Sequence, residues 1–432
     1  MKFVSTRGQV QPARLSEAIR NGVAPDGGLY MPDELPRVDL DRLDGEAPLA
    51  EFAASLLRPF FAGDRLEVDL PAICAEALDL PVPLVTPDAS KPSLQALELF
   101  HGPTGAFKDF GARFLMACFD RIADPDEQLT VLAATSGDTG GAVGCAAEGR
   151  SSVRAAILYP KGRVSAFQER QLTCWGDQVL AIEVDGDFDD CQRLVKAAFA
   201  DARLASEQRL TSANSINFGR LMPQLAYAAH AAVRVFSRTG EKPGFVIPSG
   251  NLGHGFAVLL AKAMGLPVGP VVLATNANAT LKDWRLTGSF EPRPAVQTLA
   301  NAMDVGNPSN FERVVALPMD RDIEVELVTD EQIETRIKAE YQASGYIWCP
   351  HSATAAEAWS RLSDAARSER PWIVTATAHP YKFADVVEPL IGRAIEPTPA
   401  LAAILDRPTR KVRIRAELGA LADTLRERAV AA

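Results

Sequence analysis

A lysine between two aromatic residues is the first feature of this sequence that could do covalent chemistry. Lys108 lies in the segment HGPTGAFKDFG, residues 101–111, next to Phe107 and two positions before Phe110. An amine that aromatic neighbours remove from water has a lowered pKa and becomes a nucleophile for a carbonyl carbon, as in lysines that form Schiff bases. Many lysines beside aromatic residues instead extend their ammonium group to solvent. Taken alone, the segment leaves both interpretations open.

A glycine-rich turn, ATSGDTGGAVG at residues 134–144, could bind an anion. It follows a predicted strand and begins a predicted helix, and it offers the side chains of Ser136, Asp138 and Thr139 beside its backbone N–H groups. A carboxylate or a phosphate fits such a helix N-terminus. An ordinary capped helix start is the alternative, since Ser, Asp and Thr are the usual N-cap residues. The extra glycines would destabilise a helix that served no other purpose, which favours the anion site.

A second turn of this kind, IPSGNLGHGF at residues 247–256, also follows a predicted strand and precedes a predicted helix. Gly250, Gly253 and Gly255 allow the backbone to approach a phosphate closely. The turn contains neither GK[ST] nor GxGxxG, so a nucleoside triphosphate or a dinucleotide is not favoured. A cofactor monophosphate that backbone amides hold fits better. TATAHP, residues 375–380, ends the last predicted strand and by itself reads as an ordinary strand exit.

The secondary-structure pattern predicts the scaffold that positions these turns. Apolar, β-branched runs alternate with helical stretches, which is typical of a parallel sheet covered on both faces. The class is therefore α/β, with ligands expected at the carboxyl ends of the strands. The predicted strands are Leu129–Thr135, Val153–Tyr159, Val179–Val184, Phe245–Pro248, Val271–Thr275 and Trp372–Thr377, and helices are predicted at Leu49–Phe61, Leu70–Leu78, Arg113–Ile122 and Phe256–Met264.

The composition restricts the classes of partner and compartment. The 432 residues carry a formal net charge of -10, which argues against a general nucleic-acid binder. No run approaches the ~20 apolar residues of a membrane span, and no signal peptide is visible. The six cysteines are scattered without a pairing pattern, so we expect reduced thiols in the cytoplasm. The histidines form no zinc-type spacing, and we expect no metal, although Cys349 and His351 are close in sequence.

Several motifs together resemble the threonine synthases. HGPTGAFKDFG, ATSGDTG, ILYPKGRVSAFQERQ, SANSINFGR, IPSGNLG, ATNANAT, NAMDVGNPSN and TAHP occur in this order, and STRG and APDGGLYMP precede them. The similarity runs from about residue 4 to residue 390 and is to the longer class of bacterial and fungal enzymes. The resemblance implies a pyridoxal-phosphate (PLP) enzyme of fold type II, similar to the tryptophan synthase β subunit, that makes threonine from O-phospho-L-homoserine and water and releases phosphate.

The resemblance also implies a domain organisation. We expect a small N-terminal domain at residues 1–95 and a large PLP-binding α/β domain at residues 96–117 and 236–395. A small α/β domain at residues 118–235 and a helical C-terminal tail at residues 396–432 complete the chain. The tail is basic, and a solvated helix with interleaved acidic residues is favoured there over a nucleic-acid arm. We expect a monomer or a homodimer.

The family pattern assigns roles to individual residues. Lys108 matches the lysine that binds the cofactor covalently, and Thr377 matches the hydroxyl residue near the pyridine nitrogen. Asp138 stands where the shorter threonine synthases have Asn, beside the phenolic oxygen, and would repel a phenolate unless one of the two is protonated. The loop expected to hold the cofactor phosphate is Gly250, Asn251, Leu252, Gly253 and His254. Ser136 and Thr139 are expected to bind the substrate carboxylate. Ser215 and Arg220 are expected to bind the substrate phosphate, and Lys161 and Arg163 are further basic candidates for that role.

Two other functions remain open from the sequence. A PLP-dependent phospho-lyase or dehydratase on the same fold would share Lys108 and the glycine loops. It would release a keto acid and ammonia. Only an enzyme for a phosphorylated substrate needs the Ser215 and Arg220 pair. A catalytically inactive relative that serves as a binding protein is the second alternative, and the presence of Lys108 argues against it.

Overall fold

Two separate sheets carry the turns that the sequence analysis singles out. The computed structural model describes residues 1–124, 127–317 and 323–430. The strands are β1 (Phe3–Ser5), β2 (Tyr30–Pro32), β3 (Leu84–Val85), β4 (Leu94–Glu98), β5 (Leu129–Ala134), β6 (Val153–Pro160), β7 (Val179–Asp185), β8 (Leu210–Ser212), β9 (Gly244–Pro248), β10 (Val271–Thr275), β11 (Ile323–Leu327), β12 (Trp372–Ala376) and β13 (Val412–Arg415).

The helices lie between and around these strands. They are α1 (Leu15–Asn21), α2 (Leu49–Phe61), α3 (Leu70–Leu78), α4 (Lys108–Ile122), α5 (Asp138–Ala147), α6 (Ala166–Thr173), α7 (Phe188–Ala200), α8 (Ala202–Glu207), α9 (Met222–Thr239), α10 (Gly253–Ala263), α11 (Thr280–Thr287), α12 (Phe311–Ala316), α13 (Asp330–Ser344), α14 (Pro350–Ser360), α15 (Asp364–Glu369), α16 (Ala384–Ile391), α17 (Pro399–Leu405) and α18 (Leu418–Val430). Among the described helices, none combines the length and the apolar character that crossing a membrane requires.

The large sheet has the strand order β11-β10-β9-β12-β4-β3. All neighbouring pairs in it are parallel except β3 with β4, which is antiparallel. Helix α14 packs against β9, β10 and β12. The carboxyl ends of β9 and β12 lead directly into the Gly250–His254 loop and into Thr377. Strand β3 lies inside residues 1–95, so the predicted N-terminal domain contributes a strand to this sheet.

The small sheet has the order β13-β7-β6-β5-β8, and all of its pairs are parallel. The carboxyl end of β5 leads into the turn at residues 135–137 and then into α5. Its edge strand β13 comes from the tail, which we had predicted to be helical, so the tail contains a strand between α17 and α18. The alternating charged residues of VRIR suit such an edge, where one face of the strand is exposed.

The basic residues of the tail form ion pairs with the small sheet and its helices. Arg413 Nε donates to Asp185 at 2.8 Å, and Lys411 Nζ donates to Glu183 at 2.6 Å. In the same region Leu401 of α17 is buried against the loop before Lys108, and a Cβ at Gly105 would lie 3.1 Å from its Cδ1. The charged side chains of the tail therefore form contacts within the chain. Within the tail, only α18 corresponds to the expected helix.

The six apolar strands predicted from the sequence are confirmed as β5, β6, β7, β9, β10 and β12. The predicted helices Leu49–Phe61 and Leu70–Leu78 are confirmed with the same bounds. Two other helices begin earlier than predicted, since α4 begins at Lys108 and α10 at Gly253. Both early starts place a proposed functional segment within the first turn of a helix, where backbone N–H groups lack partners in the helix.

A buried arginine docks the N-terminal hairpin onto the rest of the chain. Arg313 of α12 is fully buried, and its guanidinium donates five hydrogen bonds. Two go to Tyr30 O of β2 at 3.0 and 3.1 Å, and the others go to Asn310 Oδ1 at 2.7 Å, Ile216 O at 2.6 Å and Ser215 O at 3.3 Å. One side chain thus joins three distant segments through oxygens that would otherwise be buried without partners.

We predict that Arg313→Met lowers the free energy of unfolding by about 2–4 kcal/mol, because it leaves several buried carbonyl oxygens without donors. Urea unfolding of the apoprotein, followed by circular dichroism, measures the change. Arg415→Met is the matched control, since the Arg415 side chain is 80% exposed, and it should change the stability by less than about 0.5 kcal/mol. Equal stabilities for the two variants would contradict the docking role of Arg313.

Candidate active site

Lys108 is held in place by the loop that precedes it. The carboxylate of Asp109 accepts from Thr104 N at 2.9 Å and from Thr104 Oγ1 at 2.6 Å, which closes the loop onto the first turn of α4. Phe107 N donates to Thr377 O at 2.9 Å, so the loop is also fixed to the end of β12. The Lys108 ammonium group lies 4.5 Å from the centre of the Phe107 ring. The sequence analysis did not identify Asp109 as part of this arrangement.

The environment of Lys108 favours its neutral amine. Removal from water lowers the pKa of Lys108 to about 8. The negative charge of Asp138 opposes that shift, while the positive charges of Arg220 and Lys382 add to it. The amine therefore lies against an aromatic ring in a partly buried position, which supports the first of the two interpretations. At neutral pH an appreciable fraction of such an amine is available as a nucleophile or a base.

Asp138 forms a buried ion pair at the N-terminus of α5. Its Oδ1 lies 3.1 Å from Lys382 Nζ and accepts from Gln168 Nε2 at 3.2 Å. Burial would raise the pKa of Asp138, but Lys382 and Lys108 outweigh burial and hold that pKa well below its ordinary value. Asp138 is therefore a carboxylate. Lys382 was not found from the sequence, because a lysine just after Pro380 resembles an ordinary surface residue.

The turn before Asp138 is shaped by Thr135. Thr135 Oγ1 accepts from Gly137 N and Gly140 N, each at 3.0 Å. Gly137 has φ of 140°, a conformation that favours glycine. A Cβ there would also lie 2.5 Å from the side-chain carbon of Gln168. Ser136 and Thr139, the residues predicted for the substrate carboxylate, flank Asp138 in this turn and are only half-buried.

The Gly250–His254 loop has the backbone geometry of an anion site. Helical hydrogen bonding in α10 begins at Phe256 N, which donates to Leu252 O at 2.7 Å, so the amides ahead of it have no partner within the helix. Leu252 has φ of 62°, which is unusual for a leucine and occurs at many ligand-binding turns. A Cβ at Gly250 would lie 2.9 Å from Met303 Cα, so a larger residue does not fit there.

The segment NPSN at residues 307–310 supports this loop. Asn251 O accepts from Asn310 N at 3.2 Å, and Asn251 Oδ1 accepts from Ser309 Oγ at 3.1 Å. Asn310 Nδ2 also donates to Ser215 Oγ at 3.1 Å. A Cβ at Gly253 would lie 3.2 Å from the Cβ of Ser215. Ser215 is therefore in contact with the predicted cofactor-phosphate loop, and it lies five residues before Arg220 in the sequence.

Arg220 lies across the first turns of α4. A Cβ at Gly111 would lie 2.6 Å from Arg220 Nε, and Gly111 is on the same helix face as Lys108, three residues later. The guanidinium is buried and donates to Ala213 O. Burial lowers the pKa of Arg220 to about 10, which still leaves it charged at neutral pH. Two other predicted basic residues are not brought to this region, since Lys161 and Arg163 are exposed and Lys161 lies 3.9 Å from Asp185.

Two buried histidines border the site, and both are neutral. His254 stacks on Phe107 at 5.1 Å between ring centres, and burial lowers its pKa to about 3. His351 Nε2 accepts from Ala302 N at 3.0 Å, so its Nδ1 carries the proton. Burial also lowers the pKa of His351, to about 4. The next residue, Ser352, accepts from Thr377 N at 3.0 Å and lies 3.1 Å from Cys349 Sγ. The Cys349 and His351 pair thus has other partners than a metal.

Several buried polar atoms near Lys108 have no hydrogen-bond partner, and they bear on whether the expected cofactor fits this region. Within the described residues, the buried side-chain atoms lacking a hydrogen-bond partner include Arg220 Nε, Tyr227 OH, both ring nitrogens of His254, His351 Nδ1 and Asn301 Oδ1. Arg220, His254 and His351 act on the charge of Lys108 or respond to it. Tyr227 contacts His254 edge-on at 5.3 Å between ring centres, and Asn301 Nδ2 donates to Gln168 Oε1 at 3.2 Å. Buried polar groups seldom stay unpaired, so the cluster calls for polar ligand atoms. An aldehyde beside Lys108 and a phosphate at the Gly250–His254 amides match PLP.

Comparisons with known proteins agree with this arrangement. Residues 80–377 match the family model for pyridoxal-phosphate dependent enzymes, residues 2–78 match that for the threonine synthase N terminus, and residues 352–424 match that for the threonine synthase C-terminal region. A curated threonine synthase from Haemophilus influenzae is 36% identical over 397 residues, which cover 91% of this chain and 92% of the relative.

Two solved structures are similar over nearly the whole chain. The crystal structure of threonine synthase from Escherichia coli has a TM-score of 0.92 and 34% identity, and the match covers 99% of this chain and 100% of that one. The crystal structure of PLP-bound threonine synthase from Brucella melitensis has a TM-score of 0.89 and 33% identity, with 99% of each chain covered. The fold and the sequence matches agree, and the chain belongs to the threonine synthase family of PLP-dependent lyases.

Proposed function

We propose that this chain converts O-phospho-L-homoserine and water to L-threonine and phosphate, with PLP attached to Lys108. The observation that carries the proposal is that two buried charged groups act on the charge of Lys108: Asp138, which is ionised, and Arg220, whose Nε has no hydrogen-bond partner among the described residues. A desolvated guanidinium with free donor capacity suits a phosphorylated substrate, because it pairs with phosphate in a bidentate manner. A dehydratase acting on an unphosphorylated amino acid would not use it.

The cofactor fits the residues predicted for it. When bound, PLP supplies an electron sink for the bonds broken at the substrate Cα. The amides of Gly250–His254 would hold its phosphate, Thr377 would lie near the pyridine nitrogen, and Asp138 would lie near the phenolic oxygen. The neutral state of His254 supports this arrangement, because the phosphate is then bound by backbone dipoles without a further titrating charge.

The side chains of the site divide the remaining work. Lys108 Nζ takes the proton from the substrate Cα and then moves a proton at Cβ, which its pKa of about 8 suits. Arg220 and Ser215 hold the phosphate while it leaves from Cγ; Cγ is then protonated, and water adds at Cβ. Ser136 and Thr139 hold the substrate carboxylate at the N-terminus of α5. Lys161 and Arg163 are the alternative partners for the substrate phosphate.

We further propose a cytoplasmic enzyme that acts as a monomer or a homodimer, with the domain ranges given above. The cysteines support a reducing compartment, since all six are free thiols and five are buried. Burial raises the pKa of the Cys74 thiol to about 12, which keeps it unreactive.

We predict that PLP attaches to Lys108 at a rate that rises with pH and levels off above a pH of about 8, because only the neutral amine attacks the aldehyde. Stopped-flow absorbance of apoprotein mixed with PLP measures this rate. A midpoint above a pH of about 9.5 would contradict the desolvated state of Lys108.

Borohydride reduction followed by peptide mapping identifies the attached lysine. Label on Lys108 is expected, and none in Lys108→Ala. Lys382 is the informative alternative, because it is a fully buried amine close to Asp138. Label on Lys382 in the unmodified protein would contradict the assignment of Lys108.

We predict that Gly253→Val weakens PLP binding by roughly fivefold to a hundredfold, since overpacking costs about 1–3 kcal/mol and ~1.4 kcal/mol is tenfold. The added side chain meets Ser215, 3.2 Å from the position of its Cβ. Fluorescence titration of the apoprotein with PLP measures Kd. Gly419→Val is the matched control, because no atom lies within 4 Å of a Cβ at Gly419. A Gly253→Val protein with the Kd of the control would remove the loop from the cofactor site.

We predict that Arg220→Gln raises KM for O-phosphohomoserine and lowers kcat/KM by about thirtyfold or more, because losing one desolvated phosphate partner costs roughly 2–5 kcal/mol. Arg220→Lys should rescue only part of the loss, since an ammonium group lacks the planar fork. Steady-state release of phosphate and threonine measures both constants. The PLP absorbance should stay nearly unchanged.

Arg163→Gln is the comparison variant for this test. It removes an exposed arginine that is the other candidate for the substrate phosphate. A raised KM in Arg163→Gln and an unchanged KM in Arg220→Gln would transfer the role to Arg163. Loss of stability without a change in KM in Arg220→Gln would show that Arg220 only holds Ala213 O.

A further inference from the structure

Lys382 is a fully buried lysine to which the proposed mechanism assigns neither a proton transfer nor a substrate contact. It lies in a short turn, Pro380–Phe383, after β12, and its side chain has 0% exposure. The ammonium group has three partners: Asp138 Oδ1 at 3.1 Å, Thr104 O at 2.8 Å and Gln171 Oε1 at 2.6 Å. A lysine ammonium has three N–H donors, so all of its hydrogen-bonding capacity is used.

These partners come from both sides of the site. Asp138 and Gln171 belong to α5 and α6, which flank the small sheet, whereas Lys382 follows a strand of the large sheet. Thr104 belongs to the loop that leads to Lys108, and its side chain is held by Asp109. One ammonium group therefore links the carboxylate, the lysine-bearing loop and helix α6.

The charges around Asp138 explain why a second lysine is needed. Lys108 and Lys382 both act on the Asp138 carboxylate. Attachment of the cofactor changes the charge at Lys108. Among the described residues only Lys382 then remains as an ion-pair partner in contact with Asp138, because His351, which also acts on this carboxylate, is kept neutral by burial, which lowers its pKa to about 4. Gln168, the other group that donates to the carboxylate, is neutral. Two negative oxygens, one of Asp138 and one of the cofactor, would otherwise lie side by side in a desolvated site.

We propose that Lys382 is a positioning residue that neutralises Asp138, so that a carboxylate can lie beside the phenolic oxygen of the bound cofactor. The proposal rests on the proposed cofactor site. The lysine fixes the charge and the rotamer of Asp138 and thereby sets the pH at which the bound cofactor gains or loses a proton. A purely structural lysine would hold α5 and α6 in place without affecting that pH.

The test is a pH titration of the visible absorbance of the holoenzyme in a set of charge variants. Lys382→Met removes a positive charge, which favours the protonated cofactor, so the midpoint should rise by about one pH unit or more. Asp138→Asn removes a negative charge, so the midpoint should fall by a similar amount. The double variant changes no net charge, and its midpoint should return to within about half a unit of the unmodified enzyme.

Lys282→Met is the matched control. Like Lys382, Lys282 has a carbonyl and a carboxylate as partners: its Nζ donates to Val325 O at 2.6 Å and to Glu326 Oε1 at 3.1 Å. Lys282 lies at the far edge of the large sheet. The titration midpoint of the Lys282→Met enzyme should equal that of the unmodified enzyme. A Lys382→Met enzyme that is less stable but has an unshifted midpoint would overturn the proposal and leave a structural role.

Folding and cofactor attachment are controlled separately. If Lys382→Met does not fold, the proposal that Lys382 neutralises Asp138 requires that the double variant folds and binds PLP. Failure of both variants to fold would count against the proposal. Borohydride labelling distinguishes the two levels of inference. Label on Lys108 with unshifted midpoints overturns only the role of Lys382, whereas label elsewhere overturns the proposed cofactor site.

Discussion

The ion pair between Asp138 and Lys382 joins the carboxyl ends of strands from two different sheets. Asp138 follows β5 of the small sheet and Lys382 follows β12 of the large sheet, and both side chains are buried. Removing two charges from water costs several kcal/mol each, and their attraction compensates only when further hydrogen bonds satisfy the groups. Gln168, Gln171 and the Thr104 carbonyl oxygen provide those bonds. The requirement that both charges be satisfied therefore fixes the distance and orientation between the two sheets at the site.

The same charges determine how reactive Lys108 is. Asp138 alone would stabilise the ammonium form of Lys108, and burial alone would favour the neutral amine. Arg220 and Lys382 add positive charge, and the balance gives a pKa of about 8. A site that lacked Lys382 would keep the attraction of Asp138 for Lys108 without this opposition. Reactivity of the lysine thus depends on a residue that does not contact it through a hydrogen bond.

The sequence predicted the parts of the fold whose signals are local. Long apolar runs such as β6 and β10 are recognisable because a strand buried on both faces needs consecutive apolar residues. Strands β1, β2 and β8 have three residues each, too few for a periodic pattern, and β13 carries alternating arginines that resembled a solvated helix. The tail therefore differed most from the expectation. Its charges are explained by partners on the small sheet that are distant in sequence.

Site residues that belong to a sequence motif could be predicted. Site residues that are placed by a contact distant in sequence could not. The glycine turns and Lys108 are contiguous segments, so family resemblance could identify them. Lys382 pairs with a residue 244 positions earlier, and no local pattern distinguishes it from a surface lysine. Lys161 and Arg163 also lie within a recognised motif, but on an exposed loop, and their contact with the substrate phosphate stays a prediction. Position within a motif does not determine where a side chain points.

The two phosphate contacts proposed for this site meet two different requirements. Backbone amides at the start of α10 would bind the cofactor phosphate with fixed dipoles and add no formal charge near Lys108. A buried guanidinium suits the substrate instead, because an analogue without phosphate leaves Arg220 desolvated and unpaired, and such unpaired groups give strong discrimination. The Nε of Arg220, which has no hydrogen-bond partner among the described residues, is consistent with this requirement. Gly111 has no side chain, and this lets the guanidinium lie against α4 beside the lysine. The proposed arrangement would thus separate permanent binding of the cofactor by amides from selective binding of the substrate by a buried charge.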